Sequence, residues 1–376
     1  MKPAAYEEFD LAPGLIQLNH ASYGLASRTV ADAAVKHRHR IESDPTRFLG
    51  AELTEQLRDR TALVCTAFGL TPEHTTLCSN ATSGAAAIIA SLPLTAADTV
   101  VVLDTEYSSI NRAWQLACGR AGARYIEIAV PLPFRGTEAL LSSLEAEVPG
   151  PVSYLQASLV SSSAALWLPV AEIAQWVRGR GGHAVLDAAH GPGHIRLTPD
   201  TWGAAAMFGT LHKWLPTERS VGFLWLTEQF VHQVRPAEVS LTWDSADLVE
   251  RFSWPGTFDP VPRLCLGDAI AQWHRWDDRG LLTECEKLAD HATSTLTGLA
   301  ARPTAEREYL PPRLRSFILE GVTVAEVKTA LSEADIRTWV GPGPSGECLL
   351  RIATHVYNDR GDIAALAARL EEVLHQ

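Results

Sequence analysis

The sequence predicts an α/β fold, in which helices cover both faces of a mostly parallel central sheet, followed by a small C-terminal α+β domain. The first observation is that short β-branched runs alternate with amphipathic stretches through the middle of the chain. Such alternation is typical of strand–helix–strand units with parallel strands. The tail repeats the alternation on a smaller scale, and the length of 376 residues suffices for two domains.

The predicted strands of the large sheet are apolar or β-branched runs bounded by turn residues. Amphipathic stretches at 110–119 and 170–178 are predicted helices between strands, and a longer periodic stretch at 264–276 is a predicted helix leading away from the sheet. The predicted strands are 76–79, 99–103, 124–128, 152–156, 184–186, 205–209 and 221–226.

The C-terminal tail also alternates strand-like and helical patterns, in shorter segments. Its predicted elements are a strand at 314–319, a helix at 324–333, a loop at 341–346, a strand at 348–353 and a helix at 363–374. We therefore predict an N-terminal arm (1–28), a large α/β domain (29–277) and a small α+β domain (278–376).

The overall charge argues against nucleic acid and membrane partners. Lys and Arg number 32 and Asp and Glu 44, so the formal net charge is −12 and a general affinity for polyanions is not expected. The net charge does not exclude a local positive pocket for one small anion. The chain shows no signal-peptide pattern and no apolar run of bilayer length, so we expect a cytoplasmic protein. Its six cysteines form no CxxC pair, which argues against a disulfide framework or a zinc cluster.

Ligands of open α/β sheets bind beyond the carboxyl ends of the strands, so the residues that follow strands are the candidates for function. In "CSNATSGAAAII", Thr82 and Ser83 stand at a predicted helix start and Gly84 allows close backbone approach. Free N–H groups, hydroxyls and the positive end of a helix suit a phosphate, although a plain helix cap is the alternative. The glycine pattern is neither a Walker loop nor a dinucleotide fingerprint.

Two further strand ends carry residues that suit an aromatic ligand. Tyr107 follows the strand at 99–103 and could lie over a ring, or it could be a half-buried packing residue. Asp187 follows an apolar strand, with His190 three residues later. A carboxylate there would pair with a protonated ring nitrogen and the histidine would hydrogen-bond a neighbouring polar group, unless Asp187 only caps the following turn.

Lys213, in "LHKWL", has apolar and aromatic neighbours. Burial of a lysine lowers its pKa and leaves a neutral amine available for attack on a carbonyl. A lysine whose ammonium reaches the surface is the alternative. A phosphate site, a ring cover, a carboxylate for a ring nitrogen and a reactive lysine are together what pyridoxal 5′-phosphate needs.

The chain also resembles a known family. Eight segments that run almost end to end are similar to fold-type I pyridoxal-phosphate enzymes of the class V aminotransferase group, and to isopenicillin N epimerase-like proteins in particular. These segments are "LNHASYG" (18–24), "ESDPTRFL" (42–49), "NATSG" (80–84), "EYSS" (106–109), "LDAAHGPGH" (186–194), "LHKWL" (211–215), "WPGTFDP" (254–260) and "LRIATHVYN" (350–358).

The resemblance implies a role for each matching residue around the cofactor ring. Lys213 would bond covalently to the cofactor aldehyde and later move protons. Asp187 would keep the pyridine nitrogen protonated, and Tyr107 would stack on the ring. Ser162 and His190 would approach the ring hydroxyl.

The resemblance also implies how the phosphate is held. Thr82, Ser83 and His212 would bind the phosphate within one subunit. Thr257, in "WPGT", would reach the phosphate of the cofactor in a partner subunit. The enzyme is therefore expected to be a homodimer with shared active sites.

For the substrate, the resemblance implies a carboxylate site and an entrance. Arg351 would form a bidentate pair with the α-carboxylate, a task that suits guanidinium geometry. The expected entrance residues are Asn19, Ser22 and Tyr23 of the arm, with Arg47.

Two departures from the family matter. Cysteine desulfurases carry a nucleophilic cysteine on a loop before the carboxylate-binding arginine, whereas the corresponding loop here, "VGPGPSGE", has none. Cys348 lies in a predicted strand and is expected to be structural, so persulfide chemistry is not expected. Where relatives have Thr-Gly, this chain has Ser163, Ala164 and Ala165, which would reshape the ring-hydroxyl side of the pocket.

The resemblance does not decide the reaction, because one fold hosts several outcomes. The leading hypothesis is a C–S lyase that performs β-elimination on a bulky S-substituted L-cysteine in natural-product assembly, as enzymes of lincosamide antibiotic pathways do. Decarboxylation with oxidative deamination of such a conjugate, amino-acid epimerisation and transamination are the alternatives. Some aromatic residues could line a pocket for a bulky group or simply pack: Tyr23, Trp214, Trp243, Trp254 and Phe258.

A different class, a non-catalytic cofactor-binding regulator, is disfavoured by two observations. Such a protein would be expected to lose Lys213 or to gain a DNA-binding module. Neither is seen in the sequence.

Overall fold

The structure is a computed structural model that describes residues 2–375; Met1 and Gln376, the outer ends of the predicted arm and small domain, lie outside the described residues. The strands are, in chain order, β1 (Ile16–Gln17), β2 (Thr75–Cys78), β3 (Thr99–Leu103), β4 (Arg124–Ile128), β5 (Tyr154–Ser158), β6 (His183–Asp187), β7 (Ala206–Thr210), β8 (Gly222–Leu226), β9 (Arg302–Pro303), β10 (Leu314–Leu319), β11 (Ile336–Arg337), β12 (Trp339–Pro342) and β13 (Cys348–Ala353).

The helices alternate with these strands through the middle of the chain. Short 3-10 turns also occur at Ala4–Glu8, Pro72–His74 and Arg307–Tyr309, and a π-turn at Phe48–Glu52. The α-helices are α1 (His20–Tyr23), α2 (Arg28–Ser43), α3 (Pro45–Arg47), α4 (Leu53–Phe68), α5 (Ala81–Ser91), α6 (Ser108–Ala121), α7 (Thr137–Glu147), α8 (Val170–Gly179), α9 (Pro199–Trp202), α10 (Glu228–Gln233), α11 (Leu248–Ser253), α12 (Val261–Leu264), α13 (Leu266–Asp278), α14 (Leu281–Thr297), α15 (Val324–Glu333) and α16 (Arg360–Leu374).

The central sheet has seven strands in the order β2-β8-β7-β6-β5-β3-β4. Strand β8 runs antiparallel to both of its neighbours, and the remaining neighbours are parallel. Alternate residues of a strand point to opposite faces: Val101 and Leu103 pack in one buried cluster, and Val100 and Val102 pack in another. The predicted mostly parallel sheet with helices on both faces is therefore confirmed.

A smaller antiparallel sheet, in the order β12-β13-β10-β9, lies in the tail. Its strands β10 and β13 and its helix α15 match the predicted segments, whereas α16 begins earlier, at Arg360, because Asp359 and Asp362 form a capping box. Two expectations are corrected. The periodic stretch 264–276 is split between α12 and α13, and the predicted loop at 341–346 begins inside β12.

The arm is held against both parts of the chain. Strand β1 pairs with β11 of the tail in parallel register, and Leu18 packs in the buried cluster of the tail. Gly24 has φ +66°, and a Cβ there would lie 1.7 Å from the carbonyl oxygen of His212. Only glycine permits this contact, so the arm lies directly over the segment that carries Lys213. The domain boundaries at 28/29 and 277/278 stay a prediction.

None of the helices within residues 2–375 combines the length and the apolar character that crossing a bilayer requires. All six cysteines are buried free thiols. Cys348 lies in β13 with its side chain in the buried cluster of the tail, as expected of a structural residue.

Candidate active site

A cavity of about 310 Å³ opens at the carboxyl ends of the central strands. Residues that follow β2, β3, β5, β6 and β7 line it, together with residues of the arm and the tail. This is the edge at which parallel α/β sheets bind ligands. The predicted site residues that line the cavity are Ser22, Tyr23, Thr82, Tyr107, Ser162, Asp187, His190, His212, Lys213 and Arg351.

Lys213 follows β7 and reaches the cavity floor, where its Nζ lies 3.3 Å from Nε2 of His190. Burial lowers the pKa of Lys213 to about 8; the charge of Asp187 opposes this shift and the charge of Arg351 adds to it. A substantial fraction of the amine is therefore neutral near physiological pH. A neutral, positioned amine is the form that attacks a carbonyl carbon.

Asp187 ends β6 and is 5% exposed. Its Oδ1 accepts a hydrogen bond from the N–H of Ala189 at 2.7 Å, and its Oδ2 accepts none of the hydrogen bonds found among residues 2–375. Burial raises the pKa of Asp187 to about 6, and the Ala189 N–H and the Lys213 charge oppose that rise. The free oxygen faces a cavity in which a cationic N–H donor would stabilise its charge.

His190 lies beside Nζ of Lys213 and is buried. Its pKa is held well below its usual value, chiefly by burial and then by the charge of Lys213, so the ring is neutral. Its Nδ1 is buried without a hydrogen-bond partner among residues 2–375. A buried ring nitrogen without a partner carries a desolvation cost, which a polar group bound in the cavity would relieve.

Arg351 enters the cavity from β13 and is almost fully buried. Its Nη1 donates to the carbonyl and hydroxyl oxygens of Ser162, and its Nη2 donates to Oδ1 of Asn19 at 3.2 Å and Oγ of Ser22 at 2.7 Å. Burial lowers the pKa of Arg351 to about 10, so the guanidinium stays charged at neutral pH. The arm residues predicted at the entrance thus position the predicted carboxylate site.

The helix α5 begins beside the cavity, and its cap is Asn80 rather than Thr82 or Ser83. Oδ1 of Asn80 accepts a hydrogen bond from the N–H of Ser83 at 2.9 Å. Thr82 is exposed and lines the cavity, whereas Ser83 does not line it. His212 lines the other side, with Nδ1 bonded to the main chain of Val221. The phosphate-binding roles of these residues stay a prediction.

Four predicted site residues do not line the cavity: Asn19, Arg47, Ser83 and Thr257. Thr257 is exposed. Arg47 is exposed and forms an ion pair with Glu52 at 2.7 Å. The predicted roles of Thr257 and Arg47 stay predictions.

Of the aromatic candidates, only Tyr23 lines this cavity. The ring of Trp214 is buried and stacks on His194 at 4.0 Å, with the Arg313 guanidinium over it at 4.8 Å. Trp214 is therefore a packing residue that supports the Lys213 segment. The others also pack locally: Trp243 donates to the carbonyl of Pro236, and Trp254 and Phe258 form an edge-to-face pair.

Several residues at the site were not predicted from the sequence, and three of them bear on its chemistry. Ser158 and Trp339 line the cavity, and the guanidinium of Arg351 lies 5.4 Å from the Trp339 ring centroid. Glu106 is buried behind Ser158. Glu106 directly precedes Tyr107 and follows a strand, so its sequence position could have predicted a place near the site. Trp339 belongs to the distant tail, and nothing in its local sequence pointed to the site.

The residues present fit pyridoxal phosphate in donor and acceptor character. Asp187 offers a free carboxylate oxygen, His190 an unpartnered ring nitrogen and Lys213 an amine of lowered pKa. Tyr107, 51% exposed, supplies an aromatic face at the rim. The start of α5, beside Thr82, supplies the positive end of a helix for a phosphate.

The lowered pKa of Lys213 makes a prediction about cofactor uptake. The rate at which the cofactor-free protein takes up pyridoxal phosphate should rise with pH and level off above about 8, because only the neutral amine attacks the aldehyde. The measurement is the rate of growth of the visible absorption band in stopped flow. A rate that is still rising steeply at the ordinary lysine pKa would contradict the burial effect.

Comparison with known proteins gives the same family throughout. The family description "Aminotransferase class-V" matches residues 26–366. The chain is 26% identical to isopenicillin N epimerase of Streptomyces clavuligerus over 381 residues, which covers 96% of this chain and 95% of that protein. It is 24% identical to L-cysteine desulfhydrase of Arabidopsis thaliana over 283 residues, covering 70% of this chain and 62% of that protein.

The fold is shared with solved structures. The cofactor-free cysteine desulfurase of Thermococcus onnurineus NA1 superposes with a TM-score of 0.82 at 19% identity, covering 100% of this chain and 99% of that one. This likeness confirms the predicted fold class. The predicted family and the predicted pyridoxal-phosphate cofactor are confirmed by the match over residues 26–366. The chain belongs to the class-V aminotransferase family.

Proposed function

We propose that the protein is a pyridoxal-phosphate-dependent C–S lyase that acts on a bulky S-substituted L-cysteine in natural-product biosynthesis. The observation that carries the proposal is one cavity that holds Lys213, an amine of lowered pKa, and Arg351, a buried cation. These two groups suit a proton transfer at an α-carbon and the binding of its carboxylate. Relatives named L-cysteine desulfhydrase support the choice of elimination.

The absence of a cysteine in the 340–347 loop also favours elimination of a thiol over persulfide chemistry. Cys348 is the nearest cysteine in sequence to Arg351, and burial raises its pKa. A buried thiol of raised pKa is a poor nucleophile. The substrate sulfur would therefore leave on its own substituent rather than transfer to the protein.

The cofactor, when bound, supplies an electron sink that stabilises negative charge at the substrate α-carbon. This chain's residues do the rest. Nζ of Lys213 accepts the α-proton and can return a proton to the leaving sulfur, and its pKa near 8 suits both directions. Asp187 would hold the ring nitrogen through its free carboxylate oxygen, and the buried His190 excludes water from the space next to Nζ.

Arg351 would hold the substrate by its carboxylate. Both of its terminal nitrogens already donate to Ser162, Asn19 and Ser22. A bidentate pair with a carboxylate through both terminal nitrogens would therefore replace a bond to Ser162 and a bond to Asn19 or Ser22. The arm position and substrate binding are coupled in this way.

The reaction predicts three products in equal amounts. Cleavage of the Cβ–S bond, followed by addition of water, converts the conjugate into a free thiol, pyruvate and ammonia. Incubation of the purified holoenzyme with an S-alkyl and an S-aryl cysteine should release pyruvate and thiol together, measured by a coupled dehydrogenase and a thiol reagent. Formation of a keto acid that retains sulfur, or of a D-amino acid, would contradict elimination.

The second candidate is amino-acid epimerisation. It is favoured by the near full-length similarity to isopenicillin N epimerase. Both reactions begin with removal of the Cα proton by Lys213, and epimerisation then needs a proton donor on the opposite face of Cα. Chiral chromatography of recovered substrate separates the candidates. Decarboxylation-coupled oxidative deamination would instead release carbon dioxide, and transamination would pass nitrogen to a keto acid.

We also propose a homodimer in which Thr257 of each protomer reaches the phosphate of its partner's cofactor. Its exposed position outside this protomer's cavity is compatible with that role. The mass in solution should be twice 40.8 kDa by sedimentation. Thr257→Val should lower cofactor affinity by about tenfold, through loss of one hydrogen bond to a charged group, whereas the exposed Thr66→Val should not. A monomer with full cofactor affinity would contradict the shared site.

A further inference from the structure

Glu106 is a buried carboxyl group that the proposed reaction does not use. It is 7% exposed and forms no ion pair with any Lys, Arg or His among residues 2–375. Its Oε1 accepts the N–H of Ser158 at 2.8 Å, and its Oε2 accepts the hydroxyl of Ser158 at 2.7 Å. Nε2 of Gln156 lies 3.4 Å from Oε2. A buried carboxyl without a cation is costly to the fold, which suggests a use.

Ser158 connects Glu106 to the cavity. It is the last residue of β5, lines the cavity and stands opposite Asp187 in the β5–β6 register. A serine hydroxyl has one proton, and that proton points to Glu106, so Ser158 offers only lone pairs to the cavity. A protonated Glu106 can instead donate to Oγ of Ser158. The hydroxyl proton of Ser158 is then free to turn into the cavity.

Both protonation states are accessible near neutral pH. Burial raises the pKa of Glu106 to about 7; the Ser158 hydroxyl opposes this rise, and the negative charge of Asp187 adds to it. The charge of Lys213 acts on Asp187 in turn. A cationic group held against Asp187 offsets its charge and favours the ionised form of Glu106.

We propose that Glu106 is a positioning residue that sets, through Ser158, whether the cavity wall beside Asp187 offers a proton or a lone pair to the pyridoxal ring. The inference rests on the proposed cofactor chemistry and deepens it. No bond between heavy atoms forms or breaks in this step. One proton moves onto Glu106 from water, and two hydrogen bonds reverse direction.

The first test follows the visible absorption of the bound cofactor against pH in Glu106→Gln, Ser158→Ala and the double variant. The amide of Glu106→Gln donates permanently to Oγ of Ser158, as the protonated acid does. In Glu106→Gln, the pH at which the change in cofactor absorption is half complete (the absorption midpoint) should fall by roughly one pH unit. The reason is that loss of a negative charge beside Asp187 disfavours the protonated cofactor nitrogen. Ser158→Ala should shift it in the same direction. The double variant should shift no further than the larger single change.

Asp104→Asn is the matched control. Asp104 follows the same strand, β3, and burial raises its pKa to about 6. It accepts the N–H of Val130 and is acted on by the charge of Glu127 rather than that of Asp187. The control should leave the absorption midpoint in place.

The second test is the thermal midpoint of the cofactor-free protein from about pH 5 to about pH 9. The pKa of Glu106 is higher in the folded than in the unfolded chain, so the folded state holds the extra proton and stability falls as pH rises towards 7. Glu106→Gln should remove the part of the decrease in thermal midpoint with pH that is due to Glu106, and Ser158→Ala should retain it.

Two outcomes overturn the inference alone: a coloured Glu106→Gln protein with an unshifted absorption midpoint, or single shifts that add in the double variant. The first would mean that Glu106 has only a structural role. A wild-type protein that takes up no cofactor overturns the inference together with the proposed function, so the two failures are distinguishable.

Discussion

Lys213→Ala should lower turnover by at least about a thousandfold, since it removes both the covalent partner of the cofactor and the group that moves the α-proton. The fold should survive. A buried lysine whose pKa is lowered by burial costs folding free energy, so its removal should leave the thermal midpoint equal or higher. The measurement is the steady-state rate of pyruvate release, with the thermal midpoint as the check on folding.

Lys287→Ala is the control for this change. Lys287 is exposed and pairs with Glu284 on the same helix, far along the chain from the cavity. It should keep full activity. Retention of more than a few per cent of activity in Lys213→Ala, in protein free of wild-type contamination, would show that another group moves the proton.

Arg351→Leu should lower kcat/KM by about a hundredfold or more, because a charge-assisted bidentate pair with the substrate carboxylate is lost. The loss should appear mainly in KM, since the carboxylate is bound alike before and during reaction. Arg351→Lys keeps the charge but not the planar guanidinium, so its kcat/KM should lie between those of the wild type and Arg351→Leu. The measurement is a full rate curve against conjugate concentration for each variant.

Arg337→Leu is the matched control for the arginine variants. Arg337 lies on β11, is partly exposed and pairs with Asp335. Its loss should leave KM unchanged. An Arg351→Leu enzyme with unchanged KM and lowered kcat would assign Arg351 to the chemical step instead of substrate binding.

The sequence alone predicted the elements whose periodicity is local. Each strand of the central sheet is a short apolar or β-branched run, and the cavity lies at the carboxyl ends of β2, β3, β5, β6 and β7. Asp187, Tyr107 and Lys213 each follow such a run closely, which is why their positions along the chain sufficed to predict that they lie near one another. The start of α5 was also placed, although its cap is Asn80 and not the hydroxyl residues that follow it.

Contacts between distant segments could not be predicted. Trp339 reaches the cavity through the pairing of β12 with β13. The arm reaches it through the pairing of β1 with β11, the contact of Gly24 with His212 and the hydrogen bonds from Arg351. Ser83 and Trp214 looked like site residues because their sequence neighbours Thr82 and Lys213 line the cavity. Helix α5 turns Ser83 away from the cavity, and packing buries Trp214. Adjacent residues of a helix point in directions about 100° apart. A residue next to a site residue in sequence therefore need not face the site.

The most direct measurement asks whether one amine carries the cofactor. The purified protein, supplied with pyridoxal phosphate, reduced with borohydride and digested, should show the mass of one reduced cofactor per chain on the peptide that contains Lys213. The same treatment of Lys213→Ala should leave all peptides unlabelled. A colourless protein, or a label on Lys36, Lys287 or Lys328 with Lys213 unmodified, would contradict the central claim.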